Sequence, residues 1–308
     1  MTMHLADNKN QLLKKESIYF KVGKHKVHLR RFYTNPDGES VLLLHGSMED
    51  SKIFYSKSDK GLAPFLAWAG YDVYALDQRG RGASTPAVGK GDDFGLHEAI
   101  TEDIPLAAER IKELKGEYPE HWMAHSWGGV LLLAAAVRFQ ELKPDSMVFF
   151  SSKRNIWVKN MGRIIQIEII WKLFFRLLVK IFGYLPHHPK IFGSADESAG
   201  FHRDTTTWIK ARNWIDPKDG FDYDKAAAIA DIPPTLYMTG ADDVILGHPE
   251  DVLRFMKQAN NPADHYLLLS RSNGFLHNYN HINIMTHPDA AQDHFQKVLI
   301  WMTDKALL

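Results

Sequence analysis

The sequence contains no cysteine among its 308 residues. This absence excludes disulfide bonds, a thiolate nucleophile and cysteine-ligated metal centres. The chain also has no excess of charge of either sign, because 37 Lys and Arg residues balance 37 Asp and Glu residues. A balanced chain creates no overall field that attracts nucleic acid, so we expect no nucleic-acid partner. Residues 1–17 are polar and lack the apolar stretch of a secretion signal, and we therefore expect a cytoplasmic protein.

Long uninterrupted apolar runs are absent as well. The most apolar stretch, residues 164–185, is broken by charged side chains at Glu168, Lys172, Arg176 and Lys180. A membrane span needs about 20 consecutive apolar residues with few charges. The sequence therefore predicts no membrane span.

Apolar runs with strand character alternate with helical patterns from residue 39 onward. The predicted strands cover residues 17–22, 26–33, 41–44, 73–76, 122–124, 147–150, 235–238 and 266–269. The predicted helices cover residues 62–68, 99–114, 127–142, 249–258 and 289–302. We expect the first two strands to be antiparallel and the others to be parallel. This alternation predicts an α/β fold with a mostly parallel central sheet flanked by helices.

Residues 154–231 interrupt the alternation, since they show helical and aromatic patterns without a strand signal. We interpret them as an inserted helical cap, with a core made of residues 1–153 and 232–308. Such an insertion lies beyond the carboxyl ends of the strands, where α/β sheets bind ligands. Two interpretations of its apolar, basic helix stay open. It packs as a cap helix with one solvated edge, or it lines an acyl-chain pocket or makes a peripheral contact with an anionic membrane.

Ser126 lies between a predicted strand and an apolar helix, in the run Trp122-Met123-Ala124-His125-Ser126-Trp127-Gly128-Gly129. The small residues Ala124 and Gly128 flank the serine and permit a tight turn. This pattern predicts a nucleophile elbow, in which a strained turn exposes the hydroxyl above the sheet. The strict form of the motif has glycine at the position of Ala124.

A serine nucleophile needs a base, and the base needs an acid that orients it. In a sheet of this kind the chain order is serine, acid, histidine. The acid is predicted to be Asp243 after the strand 235–238, with Asp242 as the alternative. The base is predicted to be His281, with His277 as the alternative, in the loop before the last helix. The spacing of these two histidines suits a metal, but the adjacent glutamate of zinc peptidases is missing, so we expect no metal.

The reaction also needs donors for the negative charge that develops on the substrate carbonyl oxygen. The first donor is predicted to be the N–H of Trp127, the residue after the nucleophile. The second is predicted to be the N–H of Ser47 in the loop after strand 41–44, where Gly46 permits an unusual backbone conformation. We expect His45 to brace this loop.

Together these features resemble the α/β-hydrolase fold family, in its serine esterase and lipase-like branch, over nearly the whole chain. The marks are His45-Gly46, the run from Asp77 to Ser84, the serine turn, Gly240 to Asp243, and His281. The resemblance implies hydrolysis of a small-molecule carboxylic ester, with an apolar or lipid-like acyl group, through an acyl-enzyme and without a cofactor. Transfer of the acyl group to a small acceptor and a non-catalytic ligand-binding role remain alternatives. Nothing in the sequence indicates the oligomeric state.

Overall fold

The computed structural model describes residues 12–188 and 192–304. Residues 1–11, 189–191 and 305–308, which the predicted core and cap ranges include, lie outside the described part. The described strands, numbered in chain order, are β1 (Lys14–Val22), β2 (His25–Tyr33), β3 (Ser40–Leu44), β4 (Asp72–Asp77), β5 (His121–His125), β6 (Ser146–Phe150), β7 (Tyr184–Leu185), β8 (Glu197–Ser198), β9 (Thr235–Gly240) and β10 (His265–Leu269).

Eight of these strands form one sheet in the order β1-β2-β4-β3-β5-β6-β9-β10. The pairs β1–β2 and β2–β4 are antiparallel, and every later pair is parallel. The predicted α/β class and its mostly parallel sheet are therefore confirmed. Strand β3 lies between β4 and β5. The next strand in the chain, β4, is added on one side of β3, and β5 is added on the other side, so the strand order reverses at β3. Ligand sites of open α/β sheets lie at such a point.

The α-helices are α1 (Leu62–Trp68), α2 (Leu96–Glu98), α3 (Ile104–Lys115), α4 (Trp127–Arg138), α5 (Met161–Arg163), α6 (Arg176–Phe182), α7 (Ala199–Lys210), α8 (Tyr223–Ala227), α9 (Pro249–Ala259), α10 (Asn283–Thr286) and α11 (His294–Thr303). Two π-helical segments, Ala99–Asp103 and Ile164–Phe175, join α2 to α3 and α5 to α6. The second join makes residues 161–182 one continuous helical rod.

The sheet carries a hydrophobic core on each face because neighbouring strand residues point in opposite directions. On β3, Leu42 and Leu44 pack on the face that holds α4 and α9. Val41 and Leu43 pack on the other face, with α1 and α11. Parallel strands buried on both faces are continuously apolar for this reason.

Residues 154–231, here called the inserted segment, connect β6 to β9 and are mainly helical. They also contain the antiparallel pair β7–β8, which the sequence pattern did not predict. Strands of two residues are too short to show an alternating pattern. Trp208 and Trp214 of the second half are buried and pack edge to face, with ring centroids 5.9 Å apart. They belong to the same core as α4, so this half rests directly on the sheet's helices.

Candidate active site

The turn at Ser126 joins the end of β5 directly to the start of α4. Ser126 has φ 53° and ψ −123°, in the left-handed half of backbone space that serine rarely adopts. Such a conformation costs on the order of 1–3 kcal/mol and persists only where the surroundings impose it. Gly128 is required here, because a Cβ at this position would lie 2.4 Å from the carbonyl oxygen of Leu44. The close approach of α4 to β3 thus fixes the serine above the sheet.

His281 lies against this serine. Its Nε2 is 3.0 Å from the Oγ of Ser126, and its Nδ1 is 2.6 Å from Oδ2 of Asp243. All three side chains are nearly buried, with the His281 side chain 12% exposed. The structure therefore brings together the serine, the histidine and the aspartate that the sequence analysis singled out. Their arrangement allows the imidazole to take the serine proton while the carboxylate orients the ring.

The alternative acid and base occupy other environments. Asp242 is exposed, and its Oδ1 accepts a 3.4 Å hydrogen bond from Asn278. His277 places its Nε2 2.8 Å from Asp289, near the surface. Asp243 is held from a second side, since the N–H of Gly247 donates to its Oδ1 over 2.7 Å.

The protonation states follow from the surroundings. Burial lowers the pKa of His281, and the positive charges of His125 and Lys153 act in the same direction, while Asp243 opposes them. The net pKa is below its ordinary value of 6.5, so the ring is neutral at neutral pH. Burial would raise the pKa of Asp243, but the His281 ring and the N–H of Gly247 outweigh it and lower the pKa. Asp243 is therefore an anion facing a neutral imidazole.

A second histidine–carboxylate pair, which the sequence analysis did not identify, lies beneath the first. His125 places Nδ1 2.9 Å from Oε2 of Glu49 and Nε2 2.7 Å from the carbonyl oxygen of His281. Both ring nitrogens face acceptors, an arrangement that favours the doubly protonated imidazolium. Burial acts against this charge, yet Glu49 and the carbonyl raise the pKa of His125 above its ordinary value. The position of His125 beside the serine was the one available sequence signal.

Glu49 also holds the loop after β3. The same Oε2 accepts a 2.8 Å hydrogen bond from the N–H of Gly46. Burial would raise the pKa of Glu49, but His125 and this N–H lower it to about 2. The carboxylate therefore links the loop after β3, the serine turn and the His281 loop.

Lys153 is a third group that the sequence analysis left without a role. Its side chain is buried after β6, and Nζ lies 5.8 Å from the centre of the Trp127 ring. Within residues 12–188 and 192–304, no carboxylate lies at ion-pair distance from it. Burial lowers its pKa to about 8, although Asp243, Asp251 and Glu49 oppose the shift. Lys153 therefore remains mainly protonated at neutral pH and adds positive charge beside the site.

The loop of the predicted second donor lies against the serine turn, since a Cβ on Gly46 would be 2.8 Å from the Ser126 Cβ. The N–H groups of Ser47 and Trp127 donate to no acceptor within the described ranges. The N–H of Met48 is occupied, because it donates to Glu197 over 3.0 Å. Free donors at Ser47 and Trp127 are what an oxyanion site requires.

Glu197 of the inserted segment holds this loop in place. It also accepts a 2.8 Å hydrogen bond from the Ser47 hydroxyl, and it forms a buried ion pair with Arg81. Arg81 donates in addition to the carbonyl oxygen of Gly46 over 2.9 Å. The run from Asp77 to Ser84 contributes buried polar contacts, since Asp77 accepts hydrogen bonds from the N–H groups of Ser51 and Ala83.

Two groups elsewhere have metal-compatible spacing in the described part of the chain. They are His277, His287 and Asp289, and His97, Asp216 and Asp219. Each already forms internal hydrogen bonds, such as the 3.0 Å contact of His97 with Asp216. A polar cavity of about 560 Å³ beside Arg79, His97 and Asp204 contains neither the serine nor His281 in its lining.

Comparisons with known proteins agree with this architecture. A sequence model described as "Alpha/beta hydrolase family" matches residues 41–277. A proline iminopeptidase from Flavobacterium johnsoniae is 27% identical over 127 residues, which are 39% of this chain and 37% of that protein. The match thus spans well under half of that relative's length.

Solved structures share the fold over nearly the whole chain. A soluble variant of the monoglyceride lipase of Saccharomyces cerevisiae has a TM-score of 0.68 at 16% identity, with 96% of each chain covered. The monoacylglycerol lipase of Paleococcus ferrophilus has a TM-score of 0.58 at 17% identity, covering 91% of this chain and 99% of that chain. Naproxen esterase of Bacillus subtilis has a TM-score of 0.57 at 17% identity, covering 94% and 92%.

Proposed function

Since the chain belongs to the alpha/beta hydrolase family, we propose that it is a serine hydrolase that cleaves carboxylic esters with an apolar acyl group. Ser126 is the nucleophile, His281 the general base and Asp243 the acid that orients it. One observation carries the proposal: the continuous chain of contacts from Ser126 Oγ through His281 to Asp243, at 3.0 Å and 2.6 Å.

Acylation begins when Nε2 of His281 accepts the proton of Ser126 as Oγ attacks the ester carbonyl carbon. The negative charge that forms on the carbonyl oxygen is stabilised by the N–H groups of Ser47 and Trp127. The tetrahedral intermediate then collapses, the carbon–oxygen bond to the alcohol breaks, and His281 returns its proton to the departing alcohol. Asp243 stabilises the imidazolium in between and stays ionised.

Deacylation repeats these steps with water. His281 accepts a proton from water, the hydroxide oxygen attacks the acyl carbon, and Ser126 leaves as the alcohol after taking the proton back. The free acid is released. Because His281 must accept a proton in both halves, its lowered pKa favours activity at neutral pH.

The proposal of an apolar acyl group rests on the side chains beside the loop after β3, which contains Ser47. Met48, next to Ser47, packs in a hydrophobic cluster with Phe175 and Leu185 of the inserted segment. Trp171 and Phe192 border the same cluster. We propose that the acyl chain packs beside this cluster, where burial of apolar surface contributes about 25 cal/mol per Å².

Labelling with a fluorophosphonate probe tests the nucleophile. We expect the wild-type chain and Ser272→Ala, which changes an exposed serine, to be labelled equally. Ser126→Ala should fold normally and remain unlabelled. A correctly folded wild-type chain that never reacts, or a Ser126→Ala variant that still reacts, would disprove the assignment.

A panel of p-nitrophenyl esters of graded chain length tests the substrate class. We expect kcat/KM to rise from acetate to longer acyl groups, and a preference for acetate would contradict the proposed apolar acyl group. Adding a competing alcohol separates hydrolysis from acyl transfer, because a hydrolase releases mainly free acid. Because part of the chain is similar to a proline iminopeptidase, the panel also includes a prolyl arylamide. In its hydrolysis the same residues would release an amine in place of an alcohol.

A further inference from the structure

The helical rod of residues 161–182 presents a broad apolar surface to solvent. Its outer face is defined by large apolar side chains that are exposed on one continuous helix: Ile164, Ile165, Ile169, Ile170, Leu173, Phe174, Leu177, Ile181 and Phe182. Leu173 is 67% exposed and Ile181 is 61% exposed. A helix that only packs against its own protein turns such residues inward, so the outer face is a candidate interaction surface.

The opposite side of the same rod is firmly attached to the protein. Ile167 is buried in the main core, and Phe175 is buried against Met48 of the loop that adjoins the serine. The indole N–H of Trp171 donates to the Thr206 hydroxyl over 2.9 Å. The attachment fixes which side of the rod faces out.

The charged side chains of the rod indicate which kind of partner the outer face binds. The single acid of the rod, Glu168, is already engaged by Arg163, Lys172 and Lys210. Arg176 and Lys180 are exposed, and no carboxylate of the described residues pairs with them. The outer face therefore combines exposed apolar side chains with unneutralised positive charge, which is the composition of helices that lie in anionic membrane interfaces.

We infer that the outer face docks on a bilayer that contains anionic phospholipids, with the rod lying in the plane of the interface. Apolar side chains would enter the acyl boundary while Arg176 and Lys180 contact headgroup phosphates. A second copy of the chain is the competing occupant of this face, and analytical ultracentrifugation distinguishes it from a bilayer. Within the described residues no helix has the length and apolar character to cross a membrane, so the contact is peripheral. This inference does not rest on the proposed function.

Vesicle co-sedimentation with the full chain tests it. We expect binding to phosphatidylcholine vesicles containing phosphatidylglycerol, and at least tenfold weaker binding to vesicles of phosphatidylcholine alone. The triple variant Leu173→Gln/Leu177→Gln/Ile181→Gln should bind anionic vesicles at least tenfold more weakly. Ile229→Gln, which removes an exposed apolar side chain elsewhere on the inserted segment, is the matched control and should bind as wild type does. Arg176→Gln/Lys180→Gln should lose most of the preference for anionic vesicles.

Three outcomes would overturn the inference: no binding to either vesicle type, a triple variant that binds like wild type, or a stable dimer in ultracentrifugation that only the triple variant dissociates. Circular dichroism establishes that each variant is folded. A chain that is labelled but does not bind vesicles contradicts the docking surface alone. One that binds vesicles but is not labelled contradicts the proposed function alone.

Discussion

His125 donates a hydrogen bond to the carbonyl oxygen of His281 over 2.7 Å, and the two rings lie 4.8 Å apart. The residue directly before the serine therefore positions the backbone of the residue that faces the serine. Glu49 holds His125 from its other side. The proposed base is thus supported by two carboxylates, Asp243 through its ring and Glu49 through His125.

The neighbouring aspartates provide a matched test of the acid. Asp243→Asn should lower kcat by on the order of 10⁴-fold, because an asparagine favours the wrong tautomer of the histidine. Asp242→Asn should leave kcat within about twofold, since this side chain is exposed and does not reach His281. Steady-state kinetics on a p-nitrophenyl ester measure both. Equal losses in the two variants would contradict the assignment.

The two histidines of the same loop allow a parallel comparison. His281→Ala should lower kcat by on the order of 10⁵- to 10⁶-fold, because the serine loses its proton acceptor. His277→Ala removes a part-exposed contact with Asp289 and no contact with Ser126, so it should keep nearly full activity. The ester assay at saturating substrate distinguishes them. If His277→Ala folds normally and is inactive, the general base is His277 and the assignment to His281 is wrong.

The buried Glu49–His125 pair should contribute pH-dependent stability. The pKa of Glu49 is lowered from 4.5 to about 2, so its contribution is complete above about pH 4.5 and is lost toward pH 2. The pKa of His125 is raised from 6.5, so its contribution is complete below that pH and is lost as pH rises through the raised value. Glu49→Gln should therefore lower the free energy of unfolding most between these limits, by about 3 kcal/mol.

Urea unfolding at acidic, intermediate and alkaline pH measures this effect. Glu39→Gln is the matched control, because Glu39 is a 60% exposed carboxylate that also pairs with a histidine, His121. An exposed pair contributes less than about 1 kcal/mol. If the two variants lose the same free energy of unfolding at every pH, the buried pair does not stabilise the fold more than the exposed pair does.

Lys153→Met should shift the pH dependence of activity. The positive charge of Lys153 lowers the pKa of His281, so its removal moves the acid limb of kcat/KM to higher pH. Lys159→Met, which removes an exposed lysine nearby, should leave the limb in place. A pH profile of kcat/KM checks both variants. An unchanged midpoint in Lys153→Met would show that this charge does not act on the base.

The same substitution should stabilise the fold. The pKa of Lys153 falls from 10.5 to about 8 on folding, so the charged lysine disfavours the folded state below about pH 8. The cost disappears as pH rises past 10.5, where the lysine is neutral in both states. Lys153→Met should therefore raise the free energy of unfolding at pH 7 by up to about 3 kcal/mol. Urea unfolding at pH 7 and pH 10.5 measures the difference, and equal gains at both values would contradict this origin.

Much of the architecture could be predicted from periodicity. The continuous run Val41-Leu42-Leu43-Leu44 indicated a central strand buried on both faces, and β3 covers these residues in the interior of the sheet. Ser126, Asp243 and His281 could be selected because each follows a strand end in a fixed order. In a parallel sheet the carboxyl ends of the strands lie at the same edge, so residues that follow different strands can meet there. The order of the three residues along the chain therefore indicated which of them form the site.

Glu49, His125 and Lys153 could not be assigned in this way. Their relationships depend on which side chains meet across separate loops, and spacing within one segment does not encode that. The pair β7–β8 was not predicted because strands of two residues are too short to show a repeated alternation. The π-helical winding of residues 164–175 also has no signature in the apolar pattern, which suits an α-helix equally well.

The ion pair of Arg81 with Glu197 sets a limit on how this protein can be rebuilt. Exchanging residues 154–231 for a stretch without an acid at the position of Glu197 would leave the buried guanidinium of Arg81 without its counter-ion. A chimaera that replaces this segment must therefore keep both Arg81 and Glu197, or replace both with neutral residues.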